Sequence, residues 1–180
     1  GLVAGGKAWP SASLTFWTLF GGALAAAGSS ALNQYIDREL DKNMQRTSKR
    51  PLADGRLTAA EGLSYGLALC LLSYYVMAGF VNLLAAMLSL AGIFYYVFFY
   101  SVWLKKATVQ NIVIGGGAGA IPPMVGWAAA TGNLSLAAWI LFAIIFMWTP
   151  PHFWALAIVR KNDYARAGVP MLPVVEGEEK

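Results

Sequence analysis

The sequence predicts an all-α fold, a polytopic bundle of membrane-spanning helices, on three observations. Of 180 residues, 58% are hydrophobic and 12% charged, with a mean hydropathy of +0.55, and a soluble domain has roughly twice that share of charge. Five apolar runs reach the roughly 20 residues that hydrocarbon requires; they lie near 12–32, 59–80, 82–103, 108–130 and 134–157. Of the 13 basic residues, all but Lys7 fall in 38–56, 105–106 or 160–180. No alternating polar pattern of the kind that builds a membrane β-barrel is present.

The charge segregation orders the runs. Segments 33–58, 104–107 and 158–180 fall on one side, which the positive-inside rule makes the cytoplasmic side. The turns at Val81-Asn82 and 131–133 carry no basic residue. All nine acidic residues lie on the same inner side, so essentially all ionic chemistry belongs to one face. The chain opens on Gly1 without Met and ends on Glu176-Gly-Glu-Glu-Lys180 after an odd number of spans. The expectation is an internal piece of a larger membrane protein.

The first run leads into Asn33, Asp37 and Asp41, at i, i+4 and i+8. On a helix these fall within about 80° of arc, stacked turn upon turn. Two carboxylates so placed repel each other, and beside a membrane they suit a divalent metal. Magnesium usually takes one or two carboxylates and completes its shell with water and phosphate oxygens. The loop continues with Lys42, Arg46, Lys49, Arg50 and Arg56, broken by Pro51 and Gly55. Guanidinium groups bind phosphate oxygens in bidentate fashion, so the pair of features suits a diphosphate. The plain alternative is a solvated helix end followed by an ordinary inner basic loop.

Later runs add fewer signals. Cys70, the only cysteine, excludes an intramolecular disulfide and suits core packing. The aromatic run Phe94–Tyr100 with Trp103 reads mainly as an interfacial belt, with one or two rings facing a cavity. Lys106, Gln110 and Asn111 form a polar cluster within reach of substrate. Gly115 and Gly119 fit the spacing that lets membrane helices approach. No strand precedes them and no Lys-Ser/Thr follows, so they are not a Walker phosphate loop. Pro122 and Pro123 are expected to break their helix. His152, the only histidine, lies about two turns inside the fifth run, a depth at which an ionisable group marks function. Pro150 and Pro151 are expected to kink or open the helix and turn the imidazole inward; the plain alternative is a neutral imidazole hydrogen-bonded to a carbonyl those prolines free.

Four stretches carry a family resemblance. They are Asn33 to Leu52, Gln110 to Trp127, Thr149-Pro-Pro-His152-Phe-Trp-Ala-Leu-Ala157, and Asp163-Tyr-Ala-Arg-Ala-Gly-Val-Pro-Met-Leu-Pro173. The first resembles the aspartate-rich motif of the UbiA superfamily of intramembrane prenyltransferases. Together they resemble its haem-farnesylating branch, in order and over nearly the whole chain. The resemblance implies a bundle of nine helices, of which this chain holds roughly the second to the sixth. It implies transfer of the farnesyl group of farnesyl diphosphate to a vinyl group of haem b, with addition of water, giving haem O and diphosphate.

By the same resemblance, Asn33, Asp37, Asp41 and Asp163 hold Mg2+, and Asp37, Asp41 and His152 are the catalytic set. Asn33, Arg46, Lys49, Arg50, Lys106 and Asn111 bind diphosphate. A second Asp-x-x-x-Asp, usual in the superfamily, is reduced here to Asp163 followed by Ala167, a departure that favours the haem branch. The implied setting is the bacterial inner membrane ahead of the mitochondrial one, with product passed to haem A synthase or oxidase assembly and no nucleic-acid partner. A quinone or chlorophyll prenyltransferase would keep the complete second motif. A channel or carrier would show charges within the spans or inverted-repeat halves.

Overall fold

The computed structural model describes residues 1–6, 8–104, 107 and 110–159, apart from the side chain of Ile112. Every element among them is helical. A short α1 (Leu2–Gly6) precedes α2 (Ala12–Lys42), α3 (Ala59–Phe80) and α4 (Leu83–Phe94). The last continues as a π-helix over Tyr95–Leu104, followed by α5 (Asn111–Thr131) and α6 (Leu136–Val159).

Local chemistry sets the helix starts. Ser11 caps α2 by accepting from the Leu14 amide at 3.2 Å. Thr58 and Glu61 cap α3 reciprocally, satisfying two otherwise orphaned donors. Asn82 accepts from the Ala85 amide, and its own amide donates to the Ala128 and Ala129 carbonyls. One side chain thus starts α4 and ties it to the end of α5. Gly132, at φ +68°, closes α5 in the left-handed region, which glycine enters without penalty.

The helices Ala59–Phe80, Leu83–Leu104, Val113–Thr131 and Leu136–Val159 are long and apolar enough to cross a membrane. The expected first span, 12–32, is helical throughout but is not among these four. Its Gly, Ala and Ser residues lower the hydropathy of α2, and the helix runs on for 31 residues through the charged end.

Those same small residues let α3 lie close. A Cβ on Gly28 would stand 2.6 Å from Cys70 Sγ, and the Ser73 hydroxyl donates to the Gly21 carbonyl at 2.8 Å. Cys70 is buried and free, in the packing role expected of it. Met77, Ala85, Ala86, Val125, Ala128 and Ala129 form one core, uniting α3, α4 and α5. Leu32, Cys70, Ile93 and Val97 form a second, nearer the charged end.

One sequence expectation fails here: Pro122 and Pro123 lie inside α5 without breaking it. Likewise α6 runs on as a helix through Pro150 and Pro151. Proline removes an amide and crowds the carbonyl four residues back. In α5 those residues are Ala118 and Gly119, and membrane helices tolerate the loss because neighbouring groups absorb the freed carbonyls. The close approach expected at Gly115 and Gly119 falls instead on Gly115, Gly116 and Gly117, which meet Tyr100, Thr149 and Tyr95. Gly119 has open space where a side chain would go.

Gly28→Leu in the full-length protein should therefore lower stability by about 2 kcal/mol or more through overpacking. Gly79→Ala, which meets nothing within 4 Å, should not. Thermal unfolding in detergent checks the pair, and equal midpoints would contradict the α2–α3 contact.

Candidate functional site

The face of α2 that carries Asn33, Asp37 and Asp41 is turned inward at the charged end. The three side chains are 8%, 1% and 2% exposed, so the alternative of a solvated helix end fails. The Asn33 amide uses both of its N–H groups: Nδ2 donates to Asp37 Oδ2 at 2.9 Å and to Ser101 Oγ at 2.9 Å. Asp41 Oδ2 accepts from Arg50 Nη1 at 2.8 Å, in an ion pair with the Arg50 side chain 29% exposed.

The loop after α2 folds to bring Arg50 there. Backbone amides of Met44, Ser48, Arg50 and Ala53 bond carbonyls three or four residues back. Thr47 is 2% exposed, and its hydroxyl reaches the Asp41 carbonyl at 3.4 Å. Arg56 donates to Asp54 and to the Lys49 carbonyl. The Arg56 backbone amide and guanidinium hold the Asp54 carboxyl below its ordinary range. Arg46 and Lys49 are exposed and make no side-chain ion pair among the described residues. They stand on the same loop as Arg50 as free cations.

Below the triad lies a cavity of about 1070 Å³, with no charged side chain in its lining among the described residues. Thr18, Gly22, Ala26, Ser29 and Ser30 supply its α2 wall. At 100° per residue that wall and the triad occupy one side of a single helix. Tyr96 and Tyr100 of the π-helix also face the cavity and stack at 5.6 Å. Phe94, Phe98, Phe99 and Trp103 point outward, 41–64% exposed. The run thus divides, with Tyr96 and Tyr100 toward the cavity, Tyr95 against α5, where its hydroxyl donates to the Ile114 carbonyl, and the others outward.

His152 is exposed and does not line the cavity, contrary to the expected inward turn. Its ring stacks on Trp148 at 4.3 Å. By helix periodicity it falls between Trp148 and Thr149, both cavity residues, one turn nearer the charged end. The next residue, Phe153, does line the cavity. Asn111 is 1% exposed at the start of α5, while Lys106 and Asp163 lie outside the described residues.

The sequence reading missed Ser101, 2% exposed. Its only signal was a small hydroxyl inside the otherwise bulky run Phe94 to Leu104.

The UbiA prenyltransferase family matches residues 1–180, and the chain belongs to that family of membrane-embedded prenyltransferases. It is 57% identical over 171 residues to the protoheme IX farnesyltransferase of Roseiflexus sp. (strain RS-1), covering 95% of this chain and 32% of that protein. It is 59% identical over 161 residues to the enzyme of that name from Synechococcus sp. (strain JA-3-3Ab), covering 89% of this chain and 49% of that protein. The chain thus spans about a third to a half of these relatives' length.

A UbiA homolog from Archaeoglobus fulgidus, solved with DMAPP and Mg2+, superposes with a TM-score of 0.75 at 19% identity, over 93% of this chain and 59% of that one. At that identity the likeness speaks to the fold, an all-helical membrane bundle.

The donor set fits a hard divalent cation. No three His, Cys, Asp or Glu side chains gather among the described residues. Two buried carboxylates beside an amide nevertheless leave the positions that magnesium fills with water and phosphate oxygens. Asn33 meets Asp37 as a donor, so its Oδ1 is the one atom of that side chain able to ligate.

Arg50→Met should leave Asp41 buried without its countercharge and destabilise the protein by about 3 kcal/mol. Adding Asp41→Asn should restore part of that loss, as thermal unfolding in detergent would show. Additive losses would contradict the pairing.

Proposed function

We propose that this chain supplies the diphosphate-binding part of a protohaem IX farnesyltransferase. The reaction moves the farnesyl group of farnesyl diphosphate to a vinyl group of haem b, with water added, giving haem O and diphosphate. One observation carries the reading: two buried aspartates stand at the charged end of an uncharged cavity, on the same face of α2. A molecule with an apolar tail and a diphosphate head has that polarity. The relatives' shared name supplies the acceptor.

Bound at Asp37 and Asp41, with Asn33 and Asp163 completing the set, Mg2+ would neutralise charge on the leaving diphosphate. Arg46, Lys49 and Arg50, with Lys106 and Asn111, bind its oxygens. The C1–O bond of the farnesyl chain breaks with its electron pair leaving on diphosphate, an anion that positive charge stabilises as it develops. The vinyl π-electrons form the new C–C bond to C1. Water captures the resulting cation on the porphyrin side and gives up a proton. The apolar walls keep water from the allylic carbon before that step. His152, stacked on Trp148, would meet the porphyrin as ring contact, iron ligand or acceptor of the water's proton. The charged end faces the cytoplasm of a bacterial inner membrane, and haem O passes on to haem A synthase or oxidase assembly.

Asp37→Asn and Asp41→Asn in the full-length protein, each at normal membrane abundance, should lower haem O formation by about 100-fold or more. Extracted haems resolved by chromatography give the readout. Haem O at the wild-type level would contradict the site. A prenylated quinone made by the wild type with haem b unchanged would contradict the acceptor.

A further inference from the structure

Ser101 is nearly as buried as the aspartates, and its hydroxyl both donates and accepts. It donates to the Tyr96 carbonyl at 3.0 Å, five residues back in the π-helix, and accepts from Asn33 Nδ2 at 2.9 Å. The second N–H of that amide goes to Asp37 Oδ2. A primary amide has two N–H donors and one acceptor oxygen, so these bonds fix which way it points. With both N–H groups committed, Oδ1 is the atom left over.

We infer that Ser101 is a positioning residue for the metal seat: it sets the orientation of Asn33, and through Asn33 that of Asp37. This rests on the proposed reading of the triad. Ser101 touches neither carboxylate in this arrangement and acts only through the amide. The π-helix matters because its wider turn brings the hydroxyl back to a carbonyl five residues away. That bond directs the oxygen's proton to Tyr96 and leaves its lone pair for Asn33. Without Ser101 the amide is free to rotate or flip, and Asp37 keeps a partner of uncertain direction. Partners that orient metal ligands typically contribute 10–100-fold to metal affinity.

The test uses the purified full-length protein with inorganic diphosphate and Mn2+ as the probe, reading free Mn2+ by its paramagnetic resonance signal. Ser101→Ala should weaken Mn2+ binding by about 10-fold, and Asn33→Ala should weaken it at least as much. The double variant should bind no more weakly than Asn33→Ala alone, because Ser101 acts through Asn33. Wild-type Mn2+ affinity in Ser101→Ala, or additive losses in the double variant, overturns the inference. If Ser101→Ala does not accumulate, Ser101→Thr decides: retained affinity supports the hydroxyl's role, and weakened affinity overturns it. Asp37→Asn separates the two levels. Unaffected Mn2+ binding there removes the metal reading itself, whereas loss there with Ser101→Ala unaffected removes only the positioning role.

Discussion

Withdrawing a carboxylate from water costs several kcal/mol unless charge and hydrogen bonds replace the lost hydration. This chain withdraws two, Asp37 and Asp41, on adjacent turns of one helix. Their mutual repulsion adds to the cost. The surrounding structure supplies what they need from three directions. Arg50 returns from the loop to Asp41, Asn33 donates from one turn away to Asp37, and Ser101 holds Asn33 from the π-helix. The compact turns of the loop, with Met44, Thr47, Leu52 and Ala53 buried, follow from the requirement that Arg50 reach back. An apolar pair would serve stability as well, which supports reading the aspartates as the proposed metal seat.

The second constraint is that α2 serves two environments on one side. Toward its start that side is small and uncharged: Gly22, Ala26, Ser29 and Ser30 leave the cavity its volume. Toward its end the same side carries the triad. The apolar tail and anionic head of the proposed substrate would meet matching surfaces in that order. On the other side Gly21 and Gly28 let α3 approach until backbone and side chain touch. Small residues thus create both the close contact and the open space, at the expense of hydropathy. For this reason α2 falls outside the four helices most suited by composition to hydrocarbon.

Much of this was legible in the amino-acid sequence, and the parts that were not share a cause. Spacing and charge segregation are local properties, and they located the five long helices, the triad and the basic loop. The sequence allowed one or two inward rings in the aromatic run but did not single out Tyr96 and Tyr100. What depends on the partner element was hidden. The register of the π-helix decides that Ser101, and not a neighbouring tyrosine, meets Asn33. The crossing of α5 against its neighbours decides that Gly116 and Gly117 are contact points while Gly119 is open. Proline at 122 and 123 reads as a helix end in water, but a neighbouring helix can absorb the freed carbonyls. The pairing of Arg50 with Asp41 required the fold of the intervening loop. The inward turn expected of His152 does not occur, and its ring stacks on Trp148 instead.

The central claim is that one face of α2 holds the head of a prenyl diphosphate at Asp37 and Asp41 and lays its tail along the cavity. A crystal structure of the full-length protein with Mn2+ and a non-hydrolysable farnesyl diphosphate analogue tests it most directly. The expected result is an anomalous manganese peak bridging the Asp37 and Asp41 carboxylates to the diphosphate, with the isoprenoid density running past Ser30, Ser29 and Gly22. Manganese bound away from both aspartates, or a tail lying outside the cavity, would contradict it.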